Sequence, residues 1–215
     1  VWLMPGRRGS RAFIALTDHC DDQALRQQLV NVARRMNSTG LNQGTSGNLS
    51  ARIEGGILVT PSSLPYEQME ADDLVALDLS GHPLREQQRR PSSEWRLHAD
   101  VLNGRSEAMA VVHCHPIHAT ALACHDRGIP AFHYMVAVAG GDEIRCAPYA
   151  TFGTKELSEN VVKALEGRNA CLLARHGMVT LGKDLDAALR VAVEVETLAS
   201  MYLQALQLGE PPVLS

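Results

Sequence analysis

An apolar run that leads straight into closely spaced histidines constrains the fold of this 215-residue chain more than any other stretch. Residues 109–112 predict a buried strand, and His113 and His115 follow it at once. Because side chains alternate along a strand, these two histidines face the same side and can form half of a metal site. His118 lies three residues after His115, which is a helical spacing, so His115 with His118 is a rival pair.

The rest of the chain mixes short strands with amphipathic helices, without the strict alternation that is typical of a parallel sheet. We predict strands at residues 49–53, 57–60, 74–79, 109–112, 170–174 and 178–181. We predict helices at residues 21–39, 91–102, 117–125, 154–165 and 184–208, the first capped by Asp21 or Asp22 and the last by Asp184. Gly55-Gly56 indicates a hairpin, so we expect a mixed, partly antiparallel sheet covered by helices.

Composition and charge restrict the function classes. The hydrophobic content of 45% and charged content of 20% are ordinary for a soluble globular protein. A net charge of −4 without a basic stripe argues against nucleic acid as a partner. No apolar run approaches the roughly 20 residues that cross a membrane. The five cysteines are spread widely and lack C-x-x-C spacing, which argues against a disulfide framework and predicts a cytoplasmic location.

The chain is long enough for one domain with a sizeable core, which we expect to cover residues 19–215. We expect residues 1–18 to be a poorly ordered N-terminal extension. This extension is basic, and its apolar follow-on, residues 12–16, is too short for a signal peptide. The sequence opens with Val1, and Met4 is an alternative start.

A third metal ligand is expected at the end of another strand. His176 follows the apolar residues 171–174 and precedes Gly177, which allows close backbone approach. Three neutral imidazoles favour zinc and leave one coordination position open. Glu94 is a candidate fourth ligand or base, with His98 as a rival on the same helix face. The alternatives are a merely hydrogen-bonded His176 and a Glu94 that only interacts with the helix dipole.

Three segments rich in small hydrogen-bond donors predict an anion site without Lys or Arg. They are Gly47-Asn48, Ser62-Ser63 and Ser92-Ser93, and the last of them also offers an N-cap for the second helix. Ordinary capping and turn formation is the alternative role for each segment. A phosphate pocket beside a zinc site with three histidines indicates chemistry on a phosphorylated carbonyl compound, with zinc as the Lewis acid.

Six motifs together carry a resemblance to a known family. They are Gly40-Leu-Asn-Gln-Gly-Thr-Ser-Gly-Asn48, Pro91-Ser-Ser-Glu-Trp-Arg96, Val112-His-Cys-His-Pro116, His133-Tyr-Met135, Cys146-Ala-Pro-Tyr-Ala-Thr-Phe-Gly-Thr154 and Arg175-His-Gly177. Over residues 41–208 the chain resembles the class II aldolase/adducin superfamily, and within it the branch that cleaves L-fuculose 1-phosphate. The resemblance implies a three-layer α/β/α fold with a central mixed, largely antiparallel sheet flanked by helices.

The resemblance also implies a role for each matching residue. His113, His115 and His176 match the zinc ligands, whereas His118 and His98 do not. Glu94 matches an acidic residue that binds zinc in the resting site and then acts as the base. Tyr134 matches a proton donor that comes from a neighbouring subunit. The matches to substrate contacts are Gly47, Asn48, Ser92 and Ser93 for the phosphate, the Ser62-Ser63 loop beside them, and Phe152 near the substrate.

The activity implied is the reversible cleavage of a ketose 1-phosphate to dihydroxyacetone phosphate and an aldehyde, L-lactaldehyde in the case of L-fuculose 1-phosphate. A homotetramer with sites between subunits is implied as well. Ser63 departs from the family, which usually has Gly there, and Ser62 stands where Thr is common. The sequence ends at Ser215, before the family's longer C-terminal tail.

Other members of the superfamily supply the alternatives. An aldolase for 5-deoxypentulose 1-phosphates is the nearest, followed by pentulose-phosphate epimerases and a dehydratase. The epimerases tend to carry Asp where this chain has Glu94, which favours an aldolase. A non-catalytic, adducin-like interaction module lacks the metal ligands, and this chain keeps all of them.

Overall fold

The computed structural model describes residues 11–214, with side chains from Asp22 onward. Seven strands form one open sheet. They are β1 (Asn48–Ile53), β2 (Gly56–Val59), β3 (Val75–Asp78), β4 (Ala110–Cys114), β5 (Arg145–Ala147), β6 (Ala170–Leu173) and β7 (Gly177–Gly182). Their order across the sheet is β3-β2-β1-β4-β7-β6-β5. Every neighbouring pair is antiparallel except β5 and β6, which confirms the prediction of a mixed, largely antiparallel sheet.

Helices cover both faces of the sheet. They are α1 (Arg11–Ser38), α2 (Trp95–Gly104), α3 (Ile117–Ala123), α4 (Lys155–Ala164) and α5 (Leu185–Leu206). Short 3₁₀ helices at Ala71–Asp73 and Tyr134–Ala139 complete the described elements. One apolar core joins the sheet to α1, α3 and α5, and a second joins it to α2 and α4. The predicted three-layer α/β/α arrangement is therefore confirmed.

The central strand β4 explains why the apolar run before the histidines is continuous rather than alternating. Val111 packs into the core beneath α2 and α4, and Val112 packs into the core beneath α1, α3 and α5. Both side chains are fully buried, and each burial stabilises the fold by about 1.5–3 kcal/mol. This strand is therefore a rigid support for the residues that follow it.

Helix starts were predicted with mixed success. Asp184 caps α5 as expected, since its Oδ1 accepts the Ala187 N–H at 2.6 Å. The prediction that Asp21 or Asp22 caps the first helix was wrong, because α1 already begins at Arg11. Asp22 instead accepts hydrogen bonds from Arg26 and Arg85, at 3.1 and 2.8 Å.

Three elements were not predicted, namely β5 and the 3₁₀ helices at Ala71–Asp73 and Tyr134–Ala139. The predicted poorly ordered extension, residues 1–18, stays a prediction, because residues 1–10 lie outside the described part and residues 11–18 belong to α1. None of the helices within residues 11–214 is long and apolar enough to cross a membrane. The four cysteines whose side chains are described, Cys114, Cys124, Cys146 and Cys171, are all free.

Candidate metal centre

Strand pairing brings the three predicted histidine ligands together at one end of the central strands of the sheet. His113 is the fourth residue of β4, and His115 follows the end of that strand. His176 lies in the turn between β6 and β7. Because β7 pairs with β4 through Val179 and His113, the two strand ends are adjacent.

The three imidazoles form a compact cluster. The ring centroids of His113, His115 and His176 are 4.8–5.0 Å apart. One nitrogen from each ring can be chosen so that all lie within 4.8 Å of one another. His113 Nδ1 lies 2.9 Å from the Met178 carbonyl oxygen, so it carries the proton and leaves the lone pair on Nε2 for the cluster.

Glu94 lies beside this cluster and is almost completely buried. It occupies the N-cap position of α2, and its side chain reaches two of the histidines. Oε2 lies 3.2 Å from His113 Nε2, and Oε1 lies 3.4 Å from His176 Nε2. Asn48 Nδ2 donates to Oε2 at 2.9 Å. Glu94 Oε1 has no hydrogen-bond partner among the described residues.

Ionisation states in the cluster suit a cation. Burial raises the pKa of Glu94, but the charge and hydrogen bonding of His113 and the Asn48 amide outweigh it, so the net pKa is lowered. Burial lowers the pKa of His115 to about 3 and that of His176 to about 4. Burial also lowers the pKa of His113, but Glu94 outweighs it and the net pKa is raised. The Glu94 carboxylate is therefore ionised and the His115 and His176 imidazoles are neutral, and a bound cation would displace a proton from His113.

The residues present fit a divalent cation. A buried carboxylate oxygen without a partner is costly, and a metal ion beside it would satisfy it. Three imidazole nitrogens and one carboxylate oxygen are a donor set that zinc prefers, and together they would complete a four-coordinate site. His113, His115, His176 and Glu94 would hold that ion.

The two rival histidines have other partners. His118 Nδ1 lies 2.7 Å from Glu196, whose carboxylate also accepts the backbone N–H groups of His118 and Ala119 in the first turn of α3. His98 is fully buried and hydrogen bonded to Ser50 and Asn48, and burial lowers its pKa to about 3. Neither side chain belongs to the cluster.

Two glycines make the cluster possible by their lack of a side chain. A Cβ atom on Gly47 would lie 2.7 Å from the His113 carbonyl oxygen. A Cβ atom on Gly177 would lie 2.5 Å from the Cys114 carbonyl oxygen and 2.5 Å from a ring carbon of His115. Real Cβ atoms do not approach so closely, so the close backbone approach expected at Gly177 is present.

A cleft of about 320 Å³ joins the metal centre to the predicted anion site. Its lining residues are Thr45, Ser46, Gly47, Asn48, Pro61, Ser62, Ser63, Ser92, Ser93, Glu94, His115, Phe152 and His176. Of the described residues that line it, none is Lys or Arg. Thr45, Ser46 and Pro61 also line the cleft but were not predicted as site residues. Each lies close to a predicted donor segment in the sequence, which could have indicated it.

Two loops bring the serines together. Pro61 and Pro91 form an antiparallel bridge, in which Ser62 N–H donates to the Arg90 carbonyl oxygen at 3.0 Å. Ser92 does not cap α2 as expected. Its hydroxyl oxygen instead accepts the Glu94 N–H at 3.2 Å, which ties the serine loop to the residue beside the histidines. Glu94 holds the N-cap position because α2 begins at Trp95, four residues later than predicted.

Ser63 keeps a backbone conformation that suits glycine, since its φ is +59°. We expect Ser63→Gly to raise the free energy of unfolding by about 0.5–1 kcal/mol. Left-handed backbone costs a residue with a Cβ atom about 1–2 kcal/mol, and the greater entropy of unfolded glycine offsets part of the gain. Thermal unfolding should show the melting temperature rising by about 1–4 °C. Ser62→Gly is the matched control and should lower it; a lower melting temperature for Ser63→Gly would contradict the argument.

Tyr134 and Phe152 are exposed aromatic side chains. Tyr134 is 70% exposed at the start of its 3₁₀ helix and is not among the residues that line the cleft. Phe152 is 63% exposed and lies at the edge of the cleft. Within one chain, Tyr134 is therefore separate from the other predicted site residues.

A three-histidine cluster at the end of the central strand of an α/β/α sheet is the arrangement that the resemblance to class II aldolases implies. The sequence model described as Class II Aldolase and Adducin N-terminal domain matches residues 27–203, and the chain belongs to this family. The enzyme is a lyase, as its named relatives are.

Two named relatives and one solved structure are similar to this chain over most of its length. The chain is 52% identical over 191 residues to the 5-methylthioribulose-1-phosphate/5-deoxyribulose-1-phosphate aldolase of Rhodospirillum rubrum, covering 89% of this chain and 86% of that protein. It is 48% identical over 192 residues to the L-fuculose phosphate aldolase of Escherichia coli, covering 89% and 88%. A solved structure of an L-fuculose 1-phosphate aldolase superposes with a TM-score of 0.86 at 40% identity, covering 89% and 91%.

Proposed function

We propose that this enzyme is a zinc-dependent aldolase that reversibly cleaves a ketose 1-phosphate to dihydroxyacetone phosphate and an aldehyde. The observation that carries the proposal is the single cleft that joins the three-histidine cluster and Glu94 to the serine loops. A substrate with a phosphate at one end and a reacting carbon a few bonds away needs a phosphate site and a metal centre within one cleft. The named relatives act on phosphorylated sugars of this kind.

The serine loops are proposed to bind the phosphate. The cleft lies at the N-terminus of α2, where backbone N–H groups lack partners within the helix. Gly47 and Asn48 border the cleft where the chain enters β1, and the two bridged loops border it with Ser62, Ser63, Ser92 and Ser93. Hydroxyl and backbone N–H donors then hold the dianion without a basic side chain.

We expect Ser93→Ala to raise KM for a ketose 1-phosphate by about 10–100-fold. A lost hydrogen bond to a charged group costs about 1.5–3 kcal/mol, and each 1.4 kcal/mol is about tenfold. The side chain is exposed, so the melting temperature should stay unchanged. Ser106→Ala, at an exposed serine in the turn after α2, is the matched control for steady-state kinetics. An unchanged KM in Ser93→Ala would remove this residue from the phosphate site.

Zinc bound by His113, His115, His176 and Glu94 would act as a Lewis acid toward the substrate's carbonyl oxygen. In the condensation direction Glu94 is proposed to remove a proton from C3 of dihydroxyacetone phosphate, and in cleavage to return it. Asn48 orients the carboxylate through the bond to Oε2. The low exposure of Glu94, 5%, keeps water away from the transferred proton.

The proton on the new C4 hydroxyl is proposed to come from Tyr134 of a neighbouring subunit in a homotetramer. The exposed position of Tyr134 outside the cleft of its own chain supports this assignment. Phe152 is proposed to contact the aldehyde part of the substrate, since it is exposed at the edge of the cleft. The enzyme is proposed to work in the cytoplasm.

L-Fuculose 1-phosphate, which yields L-lactaldehyde, is the first candidate substrate. A 5-deoxypentulose 1-phosphate is the second, and the 52% identity to an aldolase for 5-deoxyribulose 1-phosphate favours it specifically. A coupled assay for dihydroxyacetone phosphate over a panel of ketose 1-phosphates tests both. Release of dihydroxyacetone phosphate from at least one of them is expected. Turnover by epimerisation or dehydration without that product would replace the proposal with another reaction of the superfamily.

A further inference from the structure

Four buried polar side chains form a continuous row beneath the metal centre. They are Glu94, Asn48, His98 and Ser50, with exposures of 5%, 4%, 0% and 0%. Glu94 and His98 are four residues apart at the start of α2, so they share one helix face. Asn48 and Ser50 are two residues apart on β1, so they share one face of the sheet. The Glu94–His98 pair on α2 therefore faces the Asn48–Ser50 pair on β1, and hydrogen bonds join the two pairs.

The hydrogen bonds in this row have fixed directions. A carboxylate only accepts, so the Asn48 amide presents Nδ2 to Glu94 Oε2, at 2.9 Å. Asn48 Oδ1 then accepts from His98, which must carry its proton on Nε2, at 2.5 Å. The unprotonated Nδ1 of His98 accepts from the Ser50 hydroxyl, at 2.8 Å.

This row of hydrogen bonds determines which carboxylate oxygen of Glu94 is hydrogen bonded and which is not. The bond from Asn48 engages Oε2, whereas Oε1 has no hydrogen-bond partner among the described residues and lies 3.4 Å from His176 Nε2. Without a donor at residue 98, Asn48 Oδ1 would be buried and unsatisfied, which is unfavourable. The amide would then turn to find another partner, and Glu94 would lose the bond that aims it.

We propose that His98 is a positioning residue of the aldolase reaction, which acts by holding the Asn48 amide so that Glu94 Oε1 stays directed toward the histidine cluster. This inference rests on the proposed role of Glu94 as the base. His98 belongs neither to the histidine cluster nor to the cleft lining, and the lining residue that it bonds is Asn48, so its effect on the reaction passes through Asn48.

A pair of amide substitutions separates positioning from packing. In His98→Gln the amide nitrogen falls near the position of Nε2 and can donate to Asn48. In His98→Asn the shorter side chain places its amide near Nδ1, where it reaches Ser50 only. We expect kcat of the Gln variant to stay within about twofold of the unmodified enzyme and that of the Asn variant to fall about 10–100-fold. KM for the ketose 1-phosphate should change less than about twofold in both.

The two variants can also contradict the inference. Equal and unimpaired kcat in both would show that the bond to Asn48 is not needed. Equal loss in both would show a packing role, because a Gln that donates correctly should rescue the reaction. Zinc content after gel filtration is measured alongside, and it should be the same in both variants.

A spectroscopic measurement on the metal-free, unmodified protein needs no activity. Long-range ¹H–¹⁵N spectra with ¹⁵N-labelled histidine report which ring nitrogen carries the proton, and the His98 signals are assigned by their absence from His98→Gln. A ring protonated on Nε2 alone at neutral pH is expected. A ring protonated on Nδ1, or on both nitrogens, overturns the inference whether or not Glu94 is the base. Failure of the proposed function would appear elsewhere, as unimpaired proton exchange in Glu94→Gln.

Discussion

His113→Ala protein is expected to lose most of its bound zinc and, with it, nearly all aldolase activity. His113 lies at the centre of the cluster, with Nε2 3.0 Å from His115 Nε2 and 3.2 Å from Glu94 Oε2. Its position on β4 is fixed by pairing on both sides, so no other side chain can move into its place. We expect zinc affinity to fall by more than about 100-fold. Even the loss of a residue that only hydrogen bonds to a metal ligand lowers metal affinity by about 10–100-fold.

Elemental analysis after gel filtration measures this directly. His118→Ala is the matched control, because His118 is in the same segment but is bonded to Glu196 instead of the cluster. The control should keep its zinc. Full zinc occupancy in His113→Ala would contradict the assignment of the metal centre.

Glu94→Gln is expected to lower kcat by about 10²–10⁴-fold while much of the zinc is retained. A lost general base costs about that much, and an amide oxygen cannot take up the proton that the carboxylate accepts. The three histidines remain, and Gln still offers an oxygen to the Asn48 amide, so the geometry is preserved. Steady-state kinetics with zinc analysis on the same sample separate the two effects.

Glu67→Gln, at an exposed glutamate outside the cleft, is the control for the loss of a charge. It should leave kcat unchanged. If Glu94→Gln turned over at the rate of the unmodified enzyme, Glu94 would be a ligand only and the base would be another group.

The sequence predicted the parts of the fold that local pattern determines. The apolar run before His113 is β4, Gly55-Gly56 joins β1 to β2, and Asp184 caps α5. In each case a run of apolar residues is bounded by a residue with a specific backbone preference. Local pattern alone does not place His176 beside His113 and His115, because that placement depends on the pairing of β4 with β7. The resemblance to a family was the basis for assigning the three histidines to one site.

Elements that depend on distant contacts were not predictable from local pattern. Strand β5 has three residues and exists through parallel pairing with β6, so it shows no alternation of its own. Helix α1 extends ten residues before Asp21, since nothing at Asp21 or Asp22 stops a helix. The contact of His98 with Asn48 joins residues 50 positions apart, although the spacing of Glu94 and His98 on one helix face was a signal for it.

Hydrogen–deuterium exchange at C3 of dihydroxyacetone phosphate tests most directly whether Glu94 removes a proton from that carbon. The protein is incubated with dihydroxyacetone phosphate in deuterated water, without an aldehyde, and the C3 signal is followed by ¹H NMR. We expect the unmodified enzyme to catalyse the exchange and Glu94→Gln to slow it by about 10²–10⁴-fold, in parallel with kcat. No exchange by the unmodified enzyme, or exchange at its rate by Glu94→Gln, would contradict this role of Glu94.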